Sequence, residues 1–143
     1  NNRAHVATFF DWSIINLPTN SLINSADTRS APVAIAHNPR GSQVYISARE
    51  GGSVTIGNTS TQRIEQTLTG LLGPYDIAFE RGRDRAYVSQ TDGDLLGIID
   101  TRSRQVIGSY AGFNKPRGLV VAPDDSHGYV ANIGGDSVSL VVF

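Results

Sequence analysis

The residues of this sequence that are best suited to proton transfer are its three histidines, His5, His37 and His127. An imidazole titrates near neutral pH and acts as a general base when a nucleophile or carboxylate stands beside it. None of the three lies in a pattern that supplies such a partner, and no Gly-x-Ser-x-Gly segment marks a nucleophilic serine. His37 ends an apolar segment, which favours a packed or capped histidine over a catalytic one. We therefore predict no catalytic residue.

Two acidic segments, Asp92-Gly93-Asp94 and Asp124-Asp125, are candidates for a cation site. A calcium ion takes about six to eight oxygen ligands, and neither segment has further carboxylates beside it. Since Asp-Gly is a typical hairpin dipeptide, we interpret both as turns and predict no metal and no cofactor. The chain has no Cys, which excludes thiolate ligands. Asn58-Thr59-Ser60 matches an N-glycosylation sequon, whose use depends on the host.

Composition restricts the partners. The chain of 143 residues has a net charge of −1, so no long-range field attracts nucleic acid or anionic lipid. No apolar run approaches the roughly 18 residues that would span a bilayer. We predict neither nucleic-acid binding nor membrane insertion. Because the sequence contains no Met, Asn1 is not a translation start, and we expect a processed product or an excerpt.

A repeat of 42 residues dominates the sequence. Pro, Tyr and apolar residues recur at this spacing: Pro32, Pro74 and Pro116; Tyr45, Tyr87 and Tyr129; Trp12, Val54, Leu96 and Val138. Each full copy contains four short apolar segments separated by turn residues. A four-stranded unit of about 40–45 residues is the blade of a β-propeller. We predict an all-β partial propeller of about three and a half blades, with copies at 1–30, 31–72, 73–114 and 115–143.

The repeat resembles the YVTN family of β-propeller repeats. Tyr129-Val130-Ala131-Asn132 is close to the tetrapeptide that names the family, and Ile98-Ile99-Asp100-Thr101 resembles its usual strand end. NHL and WD40 repeats are related alternatives. The resemblance implies a scaffold that often works outside the cytoplasm, so we expect an extracytoplasmic location. It also implies further blades, and we expect the rest of a propeller or another copy of the chain as a partner.

Propeller geometry selects the candidate binding residues. The loop that enters each inner strand and the loop between the second and third strands lie on one face, around the channel mouth. Equivalent positions there differ between copies, as at Val33, Tyr75 and Arg117. We predict ligand contacts on this face by Tyr75, Asp76, Arg117 and Glu50. The alternatives are ordinary variable loops or an Asp76–Arg117 ion pair that joins two blades.

We interpret the chain as a binding or structural module that presents loops to a protein, a glycan or a small ligand. The rival hypothesis is part of a propeller enzyme or enzyme subunit, such as a lyase, a lactonase-like hydrolase or a dehydrogenase subunit. Such an enzyme needs His, Asp or Glu groups that converge on the channel.

The three repeated tyrosines are predicted to pack between blades, and Trp12 is predicted to be a core residue.

Overall fold

The computed structural model describes residues 2–28 and 31–143, which form fourteen β-strands and confirm the all-β prediction. No helix capable of crossing a bilayer occurs in this part of the chain. The strands are β1 (Arg3–Ala7), β2 (Asp11–Asn16), β3 (Ser21–Asp27), β4 (Ala34–His37), β5 (Gln43–Ala48), β6 (Ser53–Asn58), β7 (Arg63–Thr69), β8 (Pro74–Phe79), β9 (Arg85–Gln90), β10 (Leu95–Asp100), β11 (Gln105–Ala111), β12 (Pro116–Val121), β13 (His127–Asn132) and β14 (Ser137–Val142).

The strands form four antiparallel sheets, each a meander in which consecutive strands pair. The orders are β1-β2-β3, β4-β5-β6-β7, β8-β9-β10-β11 and β12-β13-β14. Inner strands of successive sheets lie next to each other, β4 beside β8 and β8 beside β12. Each sheet therefore occupies one copy of the repeat and packs on the sheet of the next copy.

The backbone keeps the 42-residue period even where the side chains change. Left-handed φ values recur at equivalent turn positions: Gly52, Asp94 and Asp136; Asn20, Gln62 and Arg104; Gly73 and Lys115. A break in strand pairing also recurs after Ile14, Ile56 and Ile98, in the pairs β2–β3, β6–β7 and β10–β11. Because non-glycine residues accept the left-handed conformation at these turns, the turn geometry belongs to the blade rather than to one residue type.

The core consists of three apolar clusters, one between each pair of neighbouring sheets. Trp12, Ile14, Val44 and Ile46 join the first and second sheets. Tyr45, Val54, Ile56, Leu68, Leu71, Ile77, Ala86, Val88 and Ile99 join the second and third. Tyr87, Leu96, Leu119, Val130 and Val141 join the third and fourth. Both faces of the two central sheets are thereby covered, as expected for blades with neighbours on each side.

The repeated tyrosines confirm the packing prediction at two positions and contradict it at the third. Tyr45 and Tyr87 are fully buried, and the Tyr87 ring stacks on Phe143 with centroids 4.1 Å apart. Burial and a 2.6 Å hydrogen bond to Glu80 raise the pKa of Tyr87. Tyr129 is 46 % exposed because no sheet in the described chain covers that face of β13.

Trp12 is a core residue, as predicted, and its size is matched by a glycine in the neighbouring sheet. The indole is fully buried and lies against Gly57 of β6, where an added Cβ would collide with three ring carbons. Its Nε1–H donates to His5 Nδ1 over 3.0 Å. Later copies have Ile99 and Val141 at the position of Gly57. The second copy thus has no side chain at the place where the indole of the first copy packs.

We expect Gly57→Ala to destabilise the protein by about 1–3 kcal/mol, because the methyl group overpacks the Trp12 site. Denaturant unfolding measures the change. Gly108→Ala in β11 is the matched control, since the nearest atom to its added Cβ is 3.8 Å away.

Combining Gly57→Ala with Trp12→Leu should cost less than the sum of the two single changes, because the smaller side chain vacates the space that the methyl group needs. Strict additivity, or equal effects of Gly57→Ala and Gly108→Ala, would contradict the account of this contact.

Candidate functional site

The four predicted site residues lie at one end of the sheets, on the surface that we call the channel face. Glu50 is in the β5–β6 turn, Tyr75 and Asp76 open β8, and Arg117 opens β12. The channel face comprises these positions together with the turns at 91–94 and 112–115. Tyr75, Asp76 and Arg117 come from adjacent sheets and are each half-buried, whereas Glu50 is exposed.

Arg117 and Tyr75 are in direct contact across the junction of the third and fourth sheets. The guanidinium carbon of Arg117 lies 4.7 Å from the centroid of the Tyr75 ring. A cation over an aromatic face is stabilised by the ring quadrupole, by about 0.5–1 kcal/mol at an exposed site. Arg117 Nε is buried and has no hydrogen-bond partner among the described residues. The pair is a preformed surface of one ring and one planar cation.

Asp76 does not form the alternative ion pair with Arg117. Its Oδ1 accepts the backbone N–H of Ile77 over 2.8 Å, and its Oδ2 accepts the backbone N–H of Leu119 over 3.0 Å. The Arg117 side chain instead extends over Tyr75. The Asp76 carboxylate is already bonded to a backbone N–H of the neighbouring inner strand, and the long Arg117 side chain packs on the Tyr75 ring instead. Asp76 thus joins two sheets through the main chain.

Hydroxyl groups from the preceding sheet fix the backbone of the site residues. Ser47 Oγ donates to the Tyr75 carbonyl, and Ser89 Oγ donates to the Arg117 carbonyl over 2.6 Å. Thr91 Oγ1 donates to the Pro116 carbonyl over 2.7 Å. The two serines are 42 residues apart, and Ala131 takes their place in the last copy. The backbone at the variable positions 75 and 117 is therefore fixed by hydrogen bonds from a serine that the second and third copies share.

An ion pair on the channel face, between Arg49 and Asp92, is not among the sequence predictions. Arg49 Nη2 contacts Asp92 Oδ1 at 2.7 Å. The hydrogen bond from Arg49, with the charges of Arg49, Lys115 and Arg117, holds the pKa of Asp92 below its usual value. The signal was present: Arg49 and Asp92 are 43 residues apart, as are Asp76 and Leu119. Contacts between neighbouring blades thus recur one residue off the repeat length.

The channel face is consequently a mixed polar surface that includes the ring of Tyr75. Arg49, Arg117 and Lys115 supply cations, and Asp92 and Glu50 supply carboxylates, with the Glu50 charge acting on Arg49. Hydrogen-bond donors and acceptors surround the Tyr75 ring. This arrangement suits a polar ligand that forms hydrogen bonds with the charged groups and packs on the aromatic surface.

The histidines lie at the opposite end of the sheets from the predicted site. The His5 and His37 rings meet edge to face with centroids 4.9 Å apart. His37 ends β4 and is exposed as a whole, but its ring packs against that of His5, so the prediction of a packed histidine holds for this ring contact and not for burial in the core. Burial lowers the pKa of both imidazoles, and His37 and Arg3 lower that of His5 further.

Ser126 and His127 are in contact, yet the geometry is that of a turn. Ser126 Oγ lies 2.7 Å from His127 Nδ1 and also 2.8 Å from Asp124 Oδ1. The hydroxyl has one proton, and the carboxylate can only accept it, so the imidazole nitrogen donates to Ser126 rather than withdrawing its proton. The hydrogen bonds from Ser126 hold the pKa of Asp124 below its usual value. Within residues 2–28 and 31–143, no three His, Asp or Glu side chains are grouped so as to hold a metal ion.

Comparison with solved structures shows the propeller fold. The chain superposes on Kuenenia stuttgartiensis hydrazine synthase with a TM-score of 0.85 and 20 % identity, over 93 % of this chain and 40 % of that chain. It superposes on the dihydro-heme d1 dehydrogenase NirN in complex with DHE with a TM-score of 0.74 and 13 % identity, over 98 % of this chain and 34 % of that chain. Both are β-propeller proteins, which confirms the predicted partial propeller. No family model and no curated protein matches the sequence.

We expect Asp76→Ala to destabilise the protein by about 1–3 kcal/mol, because the backbone N–H groups of Ile77 and Leu119 lose their acceptor. Alanine fits the local backbone, since Ala34 holds the equivalent position in the preceding copy. Glu50→Ala removes a carboxylate from the same face and should leave the unfolding free energy within about 0.5 kcal/mol. Equal unfolding midpoints for Asp76→Ala and the parent protein would show that the carboxylate does not join the sheets.

Proposed function

We propose that this chain is a binding module of a β-propeller and that its channel face recognises a polar ligand on a protein, a glycan or a small molecule. The contact of Arg117 with Tyr75 carries the proposal. It places a planar cation, whose Nε has no hydrogen-bond partner among the described residues, on an aromatic ring, at a position where the second copy has Val33. Blade stacking does not require this pair, since valine serves the same position in another copy.

The charges around the pair support a polar ligand over a simple anion. Both signs of charge are present on the channel face, where Arg49, Lys115 and Arg117 all act on the carboxylate of Asp92. A ligand with both hydrogen-bond donors and acceptors would find complementary groups there. In this proposal Tyr75, Arg117 and Glu50 contact the ligand, and Asp76 positions the inner strand beneath them.

Further parts of the proposal rest on the sequence resemblance. We assign the repeat to the YVTN type on the strength of Tyr129-Val130-Ala131-Asn132, and we propose an extracytoplasmic location from the same resemblance. The two structural neighbours are named as a synthase and a dehydrogenase, and we keep an enzyme subunit as the alternative function.

The exposed face of the last sheet supports a partner made of further blades. Val138, Leu140 and Val142 are 67 %, 60 % and 71 % exposed. In the preceding copy, the residues equivalent to Val138 and Leu140 are Leu96 and Ile98, which pack against the last sheet. We propose that another propeller sheet, from the same polypeptide or from a second copy, covers this face in the assembled protein.

We expect Arg117→Ala to weaken ligand binding by about tenfold or more while the unfolding free energy falls by no more than about 1 kcal/mol. Glycan and peptide arrays identify a ligand of the assembled protein, and titration calorimetry then compares the parent with the variant. Arg63→Ala removes an exposed arginine of β7 outside the channel face and serves as the matched control.

Ligands that bind the parent protein and Arg117→Ala equally well would remove Arg117 from the site. A loss of stability well above 1 kcal/mol together with unchanged affinity would make the channel face a scaffold.

A further inference from the structure

A basic cavity lies on the face opposite the channel face, in the groove between the second and third sheets. Its volume is about 470 Å³, and turns from both sheets line it. We call it the arginine groove, after its charged lining residues Arg40, Arg81, Arg83, Arg102 and Asp84. Both walls belong to sheets with neighbours on each side, so the groove is fully formed by the described chain.

The cations of the arginine groove exceed its carboxylates. Asp84 pairs with Arg102 at 2.6 Å and more loosely with Arg40 at 3.6 Å. Arg83 lies 3.8 Å from the buried carboxylate of Glu80. The Arg81 guanidinium forms no ion pair or hydrogen bond with any residue in 2–28 or 31–143. The lining of the groove thus contains four guanidinium groups and one carboxylate, although the whole chain has a net charge of −1.

The blade scaffold does not require these arginines. The position of Arg81 holds Pro39 and Pro123 in the other copies, and that of Arg83 holds Gly41 and Asp125. The position of Arg102 holds Ser60 in the preceding copy. The same turns therefore form with proline, glycine, serine or aspartate in place of these arginines.

The groove between the third and fourth sheets has an acidic residue, Asp125, at the position that Arg83 occupies in the arginine groove. There the Asp125 carboxylate accepts the backbone N–H groups of Arg81 and Gly82 over 2.7 and 2.6 Å. Asp125 is the equivalent of Arg83, so the groove between the third and fourth sheets carries its own anion. In the arginine groove that position is the cation Arg83, which leaves Asp84 as the one carboxylate among the groove's lining residues.

We propose that the arginine groove binds a small molecule with closely spaced phosphate groups, of the diphosphate class. Guanidinium groups bind phosphate oxygens through paired hydrogen bonds, and several around one cavity match several adjacent phosphate charges. The volume lies within the range of about 300–1,000 Å³ that is usual for small-molecule sites. The site is separate from the channel face and does not depend on the function proposed for it.

The test uses inorganic pyrophosphate as the probe and titration calorimetry of the assembled protein at low ionic strength. We expect saturable binding at one site per chain and a loss of about tenfold in affinity for Arg81→Gln, because a charge-assisted contact is removed. The Arg81 guanidinium has no partner among the described residues, and Arg81→Gln keeps the backbone N–H that donates to Asp125, so we expect the fold to stay unchanged. Arg63→Gln removes the same charge outside the groove and should leave the affinity unchanged. Arg117→Ala should also leave it unchanged, which separates this site from the channel face.

A change of opposite sign completes the test. Asp84→Asn removes the carboxylate that competes for Arg40 and Arg102, and the affinity for pyrophosphate should rise by up to about fivefold. Absence of saturable binding at millimolar pyrophosphate would overturn the proposal. So would equal losses in Arg81→Gln and Arg63→Gln, which would indicate unspecific attraction, or weaker binding by Asp84→Asn.

Discussion

The structure depends on the burial of one sheet against the next. A single four-stranded meander has two apolar faces and cannot bury either alone, so each blade is stable only between neighbours. The three apolar clusters follow directly, one at each junction. Trp12 and Gly57 show how closely the two sides of a junction are adjusted, since a large side chain on one sheet is accommodated by a glycine on the other. Tyr45 and Tyr87 occupy equivalent places, and Tyr129 has the same residue type without the neighbour.

Because shared positions form the junctions, the positions that differ between copies are free to carry function. On the channel face, Ser47 and Ser89 fix the backbone from the preceding sheet, while Tyr75 and Arg117 supply a surface that the second copy, with Val33 at this position, lacks. The arginine groove shows the same pattern on the opposite face, where turns that tolerate proline, glycine or aspartate carry arginines in one groove. Comparing equivalent positions of the copies therefore distinguishes the residues that the fold requires from those that are free to vary.

The sequence predicted the strands well because the 42-residue period and the turn residues constrain every blade in the same way. It failed where the outcome depends on a partner outside the copy. The exposure of Tyr129 depends on a missing neighbour, and the partner of Asp76 depends on a backbone N–H group that side-chain reasoning does not count. The Arg49–Asp92 pair was detectable from its separation of 43 residues, had contacts between copies been considered. The arginine groove was not predicted, because its charged residues belong to turns of two different sheets that only the fold brings together.

Amide hydrogen exchange, measured residue by residue under native conditions, tests most directly whether junctions between sheets stabilise this fold. If they do, the slowest amides are those of β5, β6, β8, β9 and β10, which have a covered face on each side, and exchange quickens in β1, β3, β13 and β14. The comparison of β9 with β13 is the sharpest, because their sequences are equivalent and β13 lacks a neighbour on one face. Equal protection of these two strands, or slower exchange in β13, would contradict the account.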